Sequence, residues 1–346
     1  MKLSILVPHY NEPNAIIKKL FDSIALQRGI DFKDLDVFVC NDGFDHYIDR
    51  EIDSQSILRL EADQKGVSTS NRLFEQEFPF IIHEINIKKS GISAVRNALL
   101  KAADGDYIMW CDCDDMFIDS LGVSRIFETI ETTPFEEMNC TFLEEVFDST
   151  KNKTVYVKKE NDLILIHGKV FNRKFLLDNN ILWNPDLQIH EDSYFNILCS
   201  TLVKNARYMQ QPYYLWCWND KSISRKDPYY IINTYQHLLK SADALVAELL
   251  RRQKSKEATN MFAINLFQTF FLLTGIYTKD KNCTEKIANL NKLAKNYYDK
   301  YKELLKYLNL QEFNQLKMQM MNGAMQKGWY LETCTFNEWL SQIEKL

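Results

Sequence analysis

The chain is poor in residues that break regular structure: its 346 residues include only 10 Gly and 7 Pro, too few for long disordered linkers. It also lacks internal repeats and low-complexity tracts, which leaves an ordinary folded chain. The eight cysteines (Cys40, Cys111, Cys113, Cys140, Cys199, Cys217, Cys283 and Cys334) form no Cys-x-x-Cys pair, which argues against a zinc ribbon. Several sit in apolar runs, where a free thiol behaves as a small hydrophobe. No long apolar run is present either. The candidate with the best claim, Met261 to Tyr277, falls short of the roughly 20 residues a membrane span needs and is interrupted by Asn265 and Gln268. A buried helix is the expectation there, with no transmembrane segment. At the start, Pro8 follows Leu3-Ser4-Ile5-Leu6-Val7 too soon for a signal peptide's apolar region. The expected setting is a reducing cytoplasm, at most peripheral to a membrane surface.

Hydrophobic residues at 46% and charged ones at 26% describe a folded protein long enough for two domains. In the first part, strand-like runs (Leu3–Val7, Leu35–Cys40, Phe80–Ile85, Tyr107–Trp110) alternate with helical spacing over Asn14–Leu26 and Ile92–Ala103. That alternation predicts an α/β domain with a mostly parallel sheet covered by helices. Such sheets bind ligands beyond the carboxyl ends of their strands. The polar stretch Asp45–Phe78 is expected to hold one or two helices of its own. Further strands are expected at Thr154–Val157 and Leu163–Ile166, with helices at Arg173–Asn179 and Asp192–Leu202.

From about Tyr229 the texture is helical only. The predicted division is residues 1–228 as the α/β domain and 229–346 as an all-helical domain for acceptor binding or oligomerisation. Ile287, Leu290, Ala294, Tyr297, Tyr301, Leu304 and Leu308 form one apolar stripe. It fits packing within the chain's own helices, or a short coiled-coil seam between copies in a homo-oligomer. Residues 237–308 carry 13 Lys and Arg against 7 Asp and Glu, so the rest of a chain of net charge −5 stands at −11. This basic module, with Arg251, Arg252, Lys254 and Lys256 as its densest cluster, fits either a polyanion or a solvated helix surface.

The strongest chemical signal is Tyr107-Ile108-Met109-Trp110-Cys111-Asp112-Cys113-Asp114-Asp115. Asp is depleted from strands, and three carboxylates in four positions repel one another unless a cation sits among them. Hard oxygen ligands suit Mg²⁺ or Mn²⁺. An acidic turn capping the next helix is the bland alternative.

A hydrophobic strand running into Asp-x-Asp-Asp resembles the metal motif of family 2 glycosyltransferases of the GT-A fold. Further segments resemble that family in the same order over residues 1–225: Ile5-Leu6-Val7-Pro8-His9-Tyr10-Asn11-Glu12, Val39-Cys40-Asn41-Asp42-Gly43, Ser90-Gly91-Ile92-Ser93-Ala94-Val95-Arg96-Asn97, His167-Gly168-Lys169 onward, His190-Glu191-Asp192, and Tyr214 to Arg225. The resemblance implies a GT-A (Rossmann-like) mixed sheet flanked by helices, followed here by the all-helical C-terminal domain, which resembles no named family. It also implies an inverting transfer of sugar from a nucleotide-sugar, expected to be a UDP-sugar, to a hydroxyl acceptor.

The resemblance implies these roles. Pro8, Tyr10 and Glu12 lie at the nucleoside, and Asp42 accepts the imide N–H of uracil. Arg96 neutralises phosphate or fixes Asp112. Asp112 binds ribose or the metal's water shell, and Asp114 ligates the metal directly. Asp192 is the general base that takes the acceptor's proton, with Glu191 and Lys169 on the acceptor side. Asp115 is as well suited to capping a helix. Trp183, Trp216 and Trp218 read as core before they read as sugar platforms, and no histidine shows ligand spacing. The acceptor is expected to be a glycan or cell-surface polymer, with an anionic polymer or a hydroxylated base in viral DNA as the alternative. The competing classes are a non-catalytic nucleotide-sugar-binding protein and a nucleotidyltransferase. The first needs no base, and the second needs a basic triphosphate pocket that the motifs lack.

Overall fold

The structure is a computed structural model; it describes residues 1–43, the backbone of 67–69, and residues 78–148, 150–219, 229–331 and 333–346. The chain divides into two compact units, Met1–Asn219 and Asp220–Leu346. The expected boundary after residue 228 closes a segment, 220–228, that lies outside the described residues. So do most of Asp45–Phe78, where helices were expected, and the Ser222–Arg225 end of the last family-like segment.

In the first unit, β1 (Leu3–His9) and β2 (Leu35–Asp42) are buried along their whole length. A strand covered on both faces has no polar side to alternate with, which is why both read as nearly continuous apolar runs. With β4 (Ile81–Ile87) and β5 (Tyr107–Trp110) they form the parallel row β4-β2-β1-β5. β3 (Val67–Thr69) adds antiparallel to β4 at one edge. Beyond β5 the sheet continues through β9 (Val170–Asn172), β7 (Glu137–Asp148), β10 (Ala206–Trp216) and β6 (Met116–Phe117). The β5–β9 and β9–β7 pairs are antiparallel, and β8 (Lys153–Lys159) pairs with β7 off this path. The expected mixed sheet flanked by helices is therefore present.

Helix α1 (Asn14–Ala25) starts just after Pro13 and buries Ile17, Leu20, Phe21 and Ile24, one stripe at steps of three and four. α2 (Ile92–Ala102) buries Val95, Leu99 and Leu100; α3 (Gly122–Thr132), α4 (Arg173–Asp178) and α5 (Glu191–Leu202) complete the unit. One expected strand does not form. Leu163–Ile166 is a turn, because the Asp162 carboxylate accepts the backbone N–H groups of Ile164 and Leu165 at 2.7 and 2.8 Å. A side chain that binds its own backbone in this way competes with a sheet ladder.

The second unit is helical, as expected: α6 (Tyr230–Arg251), α7 (Ser255–Leu273), α8 (Thr284–Tyr301), α9 (Leu310–Gln326) and α10 (Phe336–Ile343). By length and composition Ser255–Lys279 could cross a membrane, contrary to the shorter stretch expected from the sequence, and most of it is buried. Its Phe262 packs on Tyr297 and Tyr301, and its Phe267 and Phe270 pack on Phe336. Each buried aromatic ring contributes about 1.5–3 kcal/mol. The apolar stripe is thus used inside the unit: Leu290, Ala294, Tyr297 and Tyr301 are buried, and α8 ends at Tyr301 before the stripe does. The basic cluster is partly neutralised in place. Glu248 accepts from Arg251 at 2.6 and 2.7 Å and from Arg252 at 2.6 Å.

Gly275 follows α7 where a Cβ would lie 2.2 Å from the Trp329 carbonyl oxygen and 2.4 Å from that of Phe271. Backbone cannot yield as a side chain does. Gly275→Ala should cost at least about 2 kcal/mol, read as a lowered urea midpoint. Gly323→Ala on α9, where nothing lies within 4 Å, should be neutral or stabilising by about 1 kcal/mol.

Candidate active site

Strand order reverses at β1: the chain passes from β1 to β2 on one side, and β5 lies on the other. Open α/β sheets form a crevice at such a point, beyond the strand ends. β1 keeps β2 as partner through His9 but loses β5 after Leu6. Pro8, which has no N–H to give, falls in the part that has parted from β5. The loop after β1 is tied by its own side chains. His9 bonds Asn41 Oδ1 at 2.7 Å through Nδ1 and the Glu12 carbonyl at 2.9 Å through Nε2. Glu12 Oε2 accepts the backbone N–H groups of Tyr10 and Asn11 at 3.0 and 3.2 Å. Tyr10 is exposed, with Lys89 Nζ 4.6 Å from its ring centroid and bonded to its hydroxyl.

At the end of β2, Asp42 is buried, and its two oxygens accept the backbone N–H groups of Ser90 and Gly91 at 2.6 and 3.0 Å. In this structure Asp42 fixes the approach to α2. That use precedes any contact with a base, so the expected uracil contact has only the remaining lone pairs. Gly91 has φ +86°, the left-handed region in which a Cβ is strained.

Arg96 stands at the centre of the site. It is 3% exposed. Its Nη1 donates to Asp192 Oδ1 at 2.7 Å and to Glu191 Oε1 at 3.0 Å, and its Nη2 donates to Asp112 Oδ1 at 3.3 Å. Its guanidinium lies 4.3 Å over the Trp183 ring, which stacks at 4.1 Å on Phe195. Burial opposes the charge, but Asp192, Asp112 and Glu191 outweigh it and hold Arg96 above the ordinary arginine range. Both roles expected for Arg96 concern this region, and here its Nη2 pairs with Asp112.

Glu191 and Asp192 open α5, where the helix N-terminus favours negative charge. The residue before them, His190, sits at φ +62°, a strained position for a non-glycine residue. Burial, then the Asp192 charge, push the Glu191 carboxyl up to about 7 against the pull of Arg96. Arg96 takes one oxygen of Asp192, Oδ1, among the described residues.

The strand-end carboxylates separate into different environments. Asp112 keeps 31% of its side chain exposed. Asp114 accepts from Asn219 Nδ2 at 2.8 Å, and burial raises its pKa while that hydrogen bond opposes the rise. Asp115, 1% exposed, caps no helix. It accepts the Tyr214 hydroxyl at 2.5 Å and the Cys217 backbone N–H at 2.9 Å. Among the described residues, the donors that lie within 4.8 Å of one another are those of Asp112, Asp115 and His167. Asp114, expected as the direct ligand, is not in that group. Two carboxylates and an imidazole whose Nδ1 is buried without a hydrogen-bond partner are a donor set that fits a divalent ion such as Mn²⁺. Lys169, expected on the acceptor side, points inward instead. Burial lowers its pKa against the opposing charge of Glu137, and its Nζ has no hydrogen-bond partner among the described residues.

Sequence reading missed His167, Tyr214, Asn219 and the stacking role of Trp183. Nothing in their spacing marks them, since each meets the strand-end motif or Arg96 across 52 to 105 residues.

The open sheet with its crevice beside β1 is a GT-A fold. Two solved structures share it. S. aureus TarS aligns with 92% of this chain and 55% of its own, with TM-score 0.53 and 14% identity. S. aureus TarS 1-349 aligns with 96% of this chain and 93% of its own, with TM-score 0.52 and 16% identity. Residues 67–177 match Glycosyl transferase family 2. The uncharacterized glycosyltransferase EpsJ of Bacillus subtilis (strain 168) is 25% identical over 241 residues, 64% of this chain. The chain spans 62% of that relative's length. Over residues 67–177 the chain is thus similar to the family 2 glycosyltransferases.

Removing Arg96 would leave three carboxylates without their counter-charge. Arg96→Met should cost about 3–5 kcal/mol. Glu191 binds its proton near 7 in the fold but near 4.5 when unfolded, so protonation favours the folded state. Loss of Arg96 pushes that carboxyl higher still, so the deficit in urea unfolding should be largest well above pH 7 and shrink as pH falls toward about 7.

Proposed function

We propose that the chain transfers a sugar from a nucleotide-sugar, a UDP-sugar, to a hydroxyl acceptor, with inversion at the anomeric carbon. One observation carries the reading. Asp112 at the end of β5 and the Glu191-Asp192 pair opening α5 meet on the single guanidinium of Arg96. Two carboxylates 80 positions apart in sequence share one cation, which supports reading Asp112 as the donor-side group and Asp192 as the base.

In this reading Pro8, Tyr10, Glu12 and Asp42 form the nucleoside wall, with the Tyr10 ring exposed for stacking. Asp112 faces the diphosphate, with Asp114 beside it on the same strand end. A divalent ion bound at Asp112 would supply positive charge to the departing nucleoside diphosphate. Asp192 accepts the acceptor hydroxyl's proton as the oxygen attacks. Arg96 orients the carboxylate through Oδ1. Glu191, pushed up to about 7, can hold a proton at neutral pH and donate a hydrogen bond to the acceptor. The acceptor class we favour is a glycan or cell-surface polymer. The setting we propose is the cytoplasm, consistent with eight free cysteines.

A donor panel read by nucleotide release, with each of several acceptors, tests the reaction. UDP-sugars should be used over CDP-sugars, because cytosine lacks the imide N–H that Asp42 accepts. Absence of release with every nucleotide-sugar would overturn the reading. Asp192→Asn should lower turnover at saturating donor by at least about 10² while UDP binding by calorimetry is retained. Lost UDP affinity with unchanged turnover would remove Asp192 from the base role.

A further inference from the structure

We propose that His167 is a direct ligand of the divalent ion, completing a site with Asp112 and Asp115, and that it makes this site select manganese over magnesium. The inference rests on the sugar-transfer reading only for the presence of an ion; the identity of its ligands is argued from this chain.

His167 is 5% exposed, and its Nδ1 has no hydrogen-bond partner among the described residues. A buried polar atom left without a partner costs about 1–3 kcal/mol, and this atom is not free to turn away. The ring stacks 4.7 Å from Trp216 and 5.5 Å from Tyr214. Its backbone is held by the next residue: Gly168 has φ +67°, and a Cβ there would lie 2.4 Å from Cys140 Sγ. The Gly168 carbonyl accepts the Tyr213 hydroxyl. Thus fixed, Nδ1 points at Asp115 Oδ2 from 3.5 Å.

The Asp115 carboxylate and the Asp112 backbone are held just as firmly. The Tyr214 hydroxyl donates to Asp115 Oδ2 at 2.5 Å and accepts the Asp112 backbone N–H at 3.3 Å, so one tyrosine ties both to the imidazole stacked upon it. Outer contacts of this kind orient metal ligands. Each carboxylate oxygen has two lone pairs, so Oδ2 of Asp115 can serve both the tyrosine and an ion. The donors lie within 4.8 Å of one another. An octahedral ion with bonds of about 2.1 Å sets neighbouring donors about 3 Å apart and opposite ones about 4.2 Å apart. A small closure brings all three onto one centre. Asp112, with its exposed side chain, is the open side through which diphosphate and water oxygens complete the shell.

The imidazole determines selectivity. Magnesium prefers an all-oxygen shell and gives up its water reluctantly, whereas manganese, larger and less firmly hydrated, gives up a water to an imidazole nitrogen more readily.

The test is Mn²⁺ and Mg²⁺ titration of the full chain by calorimetry, with pulsed EPR of bound Mn²⁺. The wild-type protein should show nitrogen coupling from a directly bound imidazole. His167→Gln should weaken Mn²⁺ at least about tenfold, weaken Mg²⁺ much less, and abolish the coupling. Bound Mn²⁺ without nitrogen coupling in the wild type overturns the inference even if the variant does not fold. So does a folded variant with unchanged Mn²⁺ affinity. Neither result touches the sugar-transfer reading, which stands or falls on nucleotide release. If the wild type binds no Mn²⁺ with or without UDP, the inference falls together with the ion in that reading.

Discussion

One buried guanidinium carries more of this protein's design than any other group. Arg96 holds Asp112, Glu191 and Asp192 within 3.3 Å of its two terminal nitrogens. Three carboxylates so close would otherwise expel one another or take up protons. A buried charge network of this kind is strongly destabilised when one member is removed, so the site and the fold share the same bonds. α2 supplies the arginine, β5 the first carboxylate and α5 the other two. Their packing is fixed by stacking as well as by charge, because Trp183 lies under the guanidinium and Phe195 under Trp183.

This arrangement also divides the carboxylates by chemistry. Asp112 stays partly open, which suits a group that meets a charged ligand. Glu191 is driven toward neutrality by burial and by its neighbour. Asp115 is sealed beneath Tyr214 and the Cys217 amide, which hold its carboxylate in place. Three acidic residues of similar intrinsic strength thus receive different environments from burial and from the donors around them. Strain is placed nearby: His190 enters the left-handed region one residue before Glu191 and Asp192.

The two units build their cores differently, and their sequences show it to different degrees. β1 and β2 were legible because strands buried on both faces have only one pattern available, an apolar run. α1 and α2 were legible from steps of three and four. Leu163–Ile166 was misread because its apolar run ignored Asp162, whose carboxylate occupies two backbone amides. In the helical unit the apolar stripe was seen, but its partners were not. Phe262 takes Tyr297 and Tyr301 from across a turn, and a stripe alone cannot say whether it faces its own chain or another copy. The basic cluster reads as four open charges in one dimension, whereas in three Glu248 reaches both arginines from one turn earlier in α6.

By itself the sequence determined the alternation of strands and helices, the strand-end carboxylates, the opening of α5 and the family resemblance. These depend on local spacing and on side-chain character, which are properties of neighbours along the chain. Only the tertiary structure decided that Arg96 joins Asp112 to Asp192, that Asp42 also binds the Ser90 and Gly91 amides, and that Lys169 is buried. It also decided that His167, which shows no ligand spacing, comes within reach of Asp115. Those outcomes depend on which elements the sheet order brings side by side. The buried charges could settle only where partners from distant positions were available to meet them.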